Sequence, residues 1–241
     1  FLEKTDNISL LAEQDDISNV SPSFGIGAGI RVFLGKKDGF VSTNDLSKAG
    51  LLFALNQALG MLGLTAGSNN NEIFDGLTDL KDFASKKNNW LDNSPDIEES
   101  TLKLRAATKL LGDKNKNLLV RRANYSRNWQ EVLVAATDGV FARDIRLHQT
   151  VGINVIAQKD KNRSTSARRY GSSGNPDDLR NWEIEKTASE LNESAQKMLY
   201  AGFVEAGQMP VVLANKFGGV IFHEACGHLL ESTQLERGTS P

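Results

Sequence analysis

The sequence has few of the side chains that bind transition metals or form disulfides. Its 241 residues include one cysteine and three histidines. A single cysteine cannot form a disulfide within the chain, which favours a reducing, cytoplasmic compartment. A metal site in this chain must therefore use nearly all of these side chains or take a ligand from outside this sequence.

Strong net charge and long apolar segments are absent as well. The formal net charge of -2 matches neither a polybasic nucleic-acid binder nor an acidic tail. No apolar run approaches the ~20 residues that span a bilayer. Hydrophobic residues make up 39% of the chain, which is enough for buried cores. We therefore expect a folded protein without a nucleic-acid or membrane partner.

Residues 1–90 predict an N-terminal domain built from strands, a hairpin and a helix. Strand-like apolar residues occupy 8–13 and 26–34, and 37–39 supply a tight turn into a further strand. Asn44 is a candidate N-cap for the helix that follows. The apolar residues of that helix recur at helical spacing and predict a buried stripe: Leu51, Ala54, Leu55, Ala58, Leu59 and Leu62.

Residues 96–207 predict a middle domain that follows a polar connection. A first helix is expected to end at Gly112, which suits a left-handed cap. The β-rich stretch 118–158 contains an Asp-Gly turn at Asp138 and predicts an antiparallel meander. The basic stretch 159–169 is typical of a solvated loop.

A long helix is expected to close the middle domain. The run Asn-Pro-Asp-Asp at 175–178 is a well-formed helix start, and Gly202 ends the pattern. Its predicted buried stripe comprises Ile184, Ala188, Leu191, Ala195 and Met198. The start of an incomplete C-terminal domain follows at 208–241, with a buried strand at 209–213 and a helix at 220–232. The fold class is therefore α+β.

The chemically informative segment is His223-Glu224-Ala225-Cys226-Gly227-His228. A zinc peptidase needs imidazoles that hold the ion and a carboxylate that takes a proton from water. Glu224 directly follows the first histidine, as the general base does in the familiar helical zinc motif. His223, His228 and Glu224 are therefore the candidate metal ligands and catalytic base.

The five-residue spacing of the histidines is unusual for a helix. Residues five apart differ by roughly 140° around a straight α-helix, whereas residues four apart differ by roughly 40°. A π-type bulge would bring His223 and His228 to one face. We therefore predict a widened turn at 225–227, made easier by Gly227.

These residues resemble the TldD/PmbA metallopeptidases, also known as modulators of DNA gyrase. The resemblance rests on the HExxxH signature with its flanking blocks and is closer to the TldD branch. The flanking blocks are Phe-Gly-Gly-Val-Ile-Phe at 217–222, Leu230-Glu231, Arg-Gly-Thr-Ser at 237–240 and Asp-Gly-Phe-Val-Ser-Thr-Asn-Asp at 38–45.

The resemblance implies a cytoplasmic zinc-dependent peptidase of unfolded or extended peptides. His223 and His228 would bind zinc, and Glu224 would activate a zinc-bound water. The third protein ligand would be a cysteine beyond residue 241, so we expect this chain to be an inactive fragment. The implied assembly is a homodimer or a heterodimer with a PmbA-like paralogue.

Several alternatives stay open at this point. The chain could instead be a non-catalytic scaffold that docks a partner peptidase or a gyrase-related client. Cys226 is expected to be a small buried bystander rather than a third ligand. Glu231 is equally compatible with a solvated helix acid and with an acid that orients the site. His148 shares strand parity with exposed charged residues, so we assign it no function.

Overall fold

The structure is a computed structural model that describes residues 1–65, 79–114, 117–178 and 180–240. The chain divides into two units, Phe1–Ala201 and Gly202–Pro241. Within the described residues, no helix is long and apolar enough to cross a membrane.

The first unit is built on one seven-stranded sheet, which confirms the predicted α+β class and the antiparallel meander. The strands are β1 (Leu2–Glu13), β2 (Asp16–Leu34), β3 (Lys37–Thr43), β4 (Lys81–Asp82), β5 (Leu118–Ala135), β6 (Phe141–Lys159) and β7 (Asn162–Ser173). The strand order is β3-β2-β1-β5-β6-β4, and β7 also pairs with β6. All pairs are antiparallel except β4 with β6. Strands from the two predicted domains, 1–90 and 96–207, thus lie side by side in this sheet.

The predicted turn at 37–39 was wrong, because those residues belong to β3. The chain turns instead at Gly35, whose φ of 61° is left-handed and costs glycine little. Gly39 serves a different purpose: a Cβ there would lie 2.2 Å from the carbonyl oxygen of Ala58. The absent side chain therefore lets the first helix approach β3. The predicted Asp138 turn is confirmed, with Gly139 at φ 96°.

Three helices complete the part of the first unit that the structure describes: α1 (Lys48–Met61), α2 (Ile97–Lys114) and α3 (Ile184–Leu199). The N-cap of α1 is Ser47 rather than Asn44, because the Ser47 hydroxyl accepts a hydrogen bond from the Gly50 N–H at 3.1 Å. The predicted stripe of α1 is confirmed: Ala54 and Ala58 are buried and its four leucines are half-buried.

The residue at which α2 ends and the residue at which α3 begins both differ from the prediction. α2 continues past Gly112, where a Cβ would fall 1.5 Å from a guanidinium nitrogen of Arg121. Gly112 thus makes room for Arg121 instead of ending the helix. The Asn175 side chain accepts a hydrogen bond from the Asp177 N–H at 3.0 Å, so the predicted helix start is a turn, and α3 begins at Ile184.

The main core lies between the sheet and the helices α2 and α3. Its buried members are Ile8, Leu10, Ala12, Leu104, Ala107, Leu111, Ala123, Tyr125, Val151, Ile153, Val155, Ala157, Ala188, Leu191, Ala195 and Leu199.

The basic stretch 159–169 was wrongly predicted as a loop, since most of it forms β7. Ser164 and Ser166 are buried there while Arg163 is exposed, which is the alternation of a strand with one covered face.

The described helical elements of the second unit lie between residues 216 and 237, and residues 202–215 form neither helix nor strand. Every buried side chain among the described residues lies in the first unit. The predicted strand at 209–213 does not form, and its side chains are exposed. A strand must exchange backbone hydrogen bonds with a partner, and the described residues of this unit include no other strand. Its helical elements are a 3₁₀ turn (Lys216–Gly219), α4 (Val220–Phe222), a π turn (His223–Gly227), a 3₁₀ turn (His228–Leu230) and α5 (Ser232–Arg237).

Candidate metal centre

The predicted widening of the helix is present and spans His223–Gly227. Its defining hydrogen bond joins the His228 N–H to the His223 carbonyl, five residues earlier. This is the i to i+5 pattern of a π turn. The sequence between the histidines therefore forms a helical turn that contains one residue more than an α-helix allows.

The π turn brings the two imidazoles together. Their ring centroids lie 4.6 Å apart with an interplanar angle of 71°. One candidate ligand atom from each of His223, Glu224 and His228 lies within 4.8 Å of the others. A straight α-helix would have separated the same histidines by roughly 140°. The convergence is thus a direct consequence of the extra residue.

Gly227 has an ordinary helical backbone. Its φ of −59° and ψ of −50° are those of an α-helix, so the expected role of glycine in easing the distortion is not needed. A Cβ at this position would lie 3.4 Å from Nδ1 of His223. A methyl group there would therefore make an ordinary van der Waals contact with the edge of the His223 ring.

Glu224 lies beside the second histidine. Its Oε2 is 3.4 Å from Nε2 of His228, and the Glu224 side chain is 64% exposed. A carboxylate in this position is accessible to water and close to the imidazole nitrogens.

Glu231 contacts the other nitrogen of the same ring. Its Oε1 lies 2.6 Å from Nδ1 of His228. The hydrogen bond and the negative charge of Glu231, with a smaller contribution from Glu224, raise the pKa of His228 above its ordinary value. Sequence reasoning left the role of Glu231 open. The sequence did contain one signal for this contact: Glu231 follows His228 by three residues, and residues three apart on a helix are neighbours.

The remaining cysteine and histidine lie outside this cluster. Cys226 is exposed, so the expectation of a small buried residue was wrong. The described part of this unit contains no buried side chain against which Cys226 could pack. His148 is exposed, as predicted, and its Nδ1 lies 2.9 Å from the Ser173 hydroxyl. Within the described residues, no fourth His, Cys, Asp or Glu places a ligand atom within 4.8 Å of those of all three clustered side chains.

The donor atoms of the cluster suit a zinc ion. Imidazole nitrogens and carboxylate oxygens are both common zinc ligands, and catalytic sites keep one position open. Here two imidazoles converge and the adjacent carboxylate is free enough to act on water. The side chains therefore fit a zinc site that has room for a further ligand.

Two family models match the first unit. The model described as PmbA/TldA metallopeptidase domain 1 matches residues 1–62. The PmbA/TldA metallopeptidase central domain matches residues 90–199. Together they cover more than half of the chain. The cluster at 223–228 lies outside both matched ranges.

Curated relatives extend the similarity along most of the chain. A metalloprotease TldD homolog of Buchnera aphidicola subsp. Acyrthosiphon pisum is 27% identical over 236 residues, 89% of this chain and 45% of that protein. A metalloprotease TldD homolog of Haemophilus influenzae is 26% identical over 241 residues, 96% of this chain and 48% of that protein. The chain thus spans about half the length of these relatives.

Solved structures share the fold. A crystal structure from Thermotoga maritima, described as a modulator of a DNA gyrase, matches with a TM-score of 0.63 and 14% identity, covering 86% of this chain and 45% of that one. The crystal structure of TldE from Thermococcus kodakarensis matches with a TM-score of 0.53 and 16% identity, covering 81% of this chain and 43% of that one.

Proposed function

Because the chain belongs to the TldD/PmbA metallopeptidase family, we propose that residues 223–228 are part of the zinc centre of a peptidase. The observation that supports this most strongly is the π turn, which brings two imidazoles and a carboxylate within 4.8 Å of one another. The non-catalytic scaffold considered above is not favoured, since the curated relatives are named metalloproteases.

His223 and His228 would hold the metal in this proposal. A third protein ligand is expected from the resemblance to be a cysteine beyond residue 241. When bound, zinc would supply a Lewis acid that polarises the scissile carbonyl and lowers the pKa of a coordinated water. A ligating histidine must be neutral, so a doubly protonated His228 has to lose one of its two ring protons before it can bind the metal.

Glu224 would act as the general base. Its Oε2 faces Nε2 of His228 at 3.4 Å, which places the carboxylate next to the nitrogen that would hold the metal. From there it can take a proton from the attacking water and deliver one to the leaving amine nitrogen. Proton transfers of this kind contribute typically about 10²–10⁴-fold to a rate.

The proposal extends to substrate, assembly and location. The substrates would be unfolded or extended peptides, as the family resemblance implies. The protein would work as a homodimer or with a PmbA-like paralogue. A cytoplasmic location is consistent with a single cysteine in 241 residues.

Zinc content of histidine variants tests the proposed ligands. In the full-length protein, His223→Ala and His228→Ala should each lose most of the bound zinc after dialysis, because each removes one of a small set of ligands. His148→Ala is the matched control and should bind zinc as the unmodified protein does. Zinc content measured by atomic absorption that is equal in all four proteins would refute the assignment.

A further inference from the structure

Glu231 is held at the break between two helical segments. Its ψ of 142° ends the helical run that carries the histidines. Its backbone carbonyl accepts hydrogen bonds from the N–H groups of Gln234 at 3.0 Å and Leu235 at 3.2 Å, at the start of α5. The Glu231 backbone is thus fixed by the following helix, while its side chain reaches back to His228.

The two nitrogens of the His228 ring have different neighbours. Nδ1 lies 2.6 Å from Oε1 of Glu231, and Nε2 lies 3.4 Å from Oε2 of Glu224. In a neutral imidazole one nitrogen carries the proton and the other has a free lone pair. A short contact with a carboxylate at Nδ1 favours the proton there. The lone pair then lies on Nε2, the nitrogen on the side of Glu224.

His223 has no equivalent support in the described part of the chain, where no hydrogen bond to its ring nitrogens is found. The orientation of His228 is therefore the one that a neighbouring acid controls. Carboxylates that accept from the distal nitrogen of a ligating histidine fix its tautomer and ring orientation.

We propose that Glu231 is a positioning residue that holds His228 with Nε2 directed to the metal. This inference rests on the proposed zinc centre. Replacing such an outer partner typically weakens metal binding by about 10–100-fold. Glu231→Ala should therefore raise the zinc dissociation constant by a factor in this range. Glu231→Gln keeps an oxygen that can accept from Nδ1–H and should retain most of the affinity.

The test is zinc affinity of the full-length protein, measured without substrate by competition with a chromophoric chelator. Glu236→Ala, which truncates an exposed acid on α5, is the matched control and should leave the affinity unchanged. Circular dichroism of each metal-free variant checks that the helices are intact. The absorption spectrum of the cobalt(II) form should also change in Glu231→Ala and be restored in Glu231→Gln.

The outcomes separate this inference from the proposed function. If the unmodified protein binds zinc and Glu231→Ala binds it equally well, Glu231 forms only a surface ion pair, which contributes little, and the inference is wrong. The same conclusion follows if Glu231→Gln loses as much affinity as Glu231→Ala. If the unmodified protein binds no zinc, the proposed function fails first and the inference falls with it.

Discussion

Tyr125 shows how a single buried residue couples the sheet to the loop before α3. Its hydroxyl donates to Oε1 of Gln149 at 2.9 Å. The amide nitrogen of Gln149 donates in turn to the carbonyls of Asn175 at 3.1 Å and Pro176 at 3.2 Å. Burial raises the pKa of Tyr125 from 10.0 to about 12, with Arg127 opposing the shift and Glu99 adding to it.

Alkaline stability should report on this residue. In the unfolded chain Tyr125 loses its proton near pH 10, whereas the folded protein keeps it until about pH 12. Deprotonation therefore favours unfolding as the pH rises between these values, by on the order of 2–3 kcal/mol in total. The free energy of unfolding of the unmodified protein should therefore fall, relative to that of Tyr125→Phe, as the pH rises through this range.

Urea denaturation at several pH values from 8 upward measures this difference. Tyr200→Phe is the control, because it removes the hydroxyl of a tyrosine that is 64% exposed and accepts a hydrogen bond from Lys159. A difference between the unmodified protein and Tyr125→Phe that stays constant with pH would contradict the assignment of a raised pKa.

Helix α3 illustrates what periodicity predicts and where it stops. Ala188, Leu191 and Ala195 of the predicted stripe are buried, but Met198 is 58% exposed and Leu199 is buried in its place. Four-residue spacing from Ala195 reaches Leu199, whereas three-residue spacing reaches Met198. Both follow one face of an α-helix, so the sequence alone could not decide between them.

Two substitutions in α3 test this packing. Leu191 is fully buried in the main core, and Leu191→Ala should lower the free energy of unfolding by about 2–5 kcal/mol through lost burial and a cavity. Met198→Ala, on the exposed side, should change it by less than about 0.5 kcal/mol. Chemical denaturation of both variants measures the contrast, and similar losses in the two would mean that α3 packs on a different face.

The π turn was predictable because spacing and chemistry agreed: two histidines five residues apart on a helix can bind one metal ion only if the turn widens. Other elements were not, because local signals serve more than one structure. The Asn175 signal typical of a helix start forms a turn, and Gly112 accommodates Arg121 within α2. Such outcomes depend on neighbours distant in sequence, which a local pattern does not contain.

At the scale of the whole molecule, the two units differ in how they are built. Phe1–Ala201 contains every buried side chain among the described residues. Gly202–Pro241 carries His223, Glu224 and His228 on a helical run. It also exposes apolar side chains such as Val212 and Leu230. The boundaries predicted from sequence, at 1–90, 96–207 and 208–241, stay a proposal. The matched family models cover residues 1–62 and 90–199.

The central claim is that Glu224 and the two histidines form a peptidase centre, and hydrolysis by the zinc-loaded full-length protein tests it most directly. With an unstructured peptide as substrate, Glu224→Gln should lower the rate by about 100-fold or more while zinc content stays at the unmodified level. Glu236→Gln removes the same charge from α5 and should hydrolyse normally. Undiminished hydrolysis by Glu224→Gln, or none by the unmodified zinc-loaded protein, would contradict the claim.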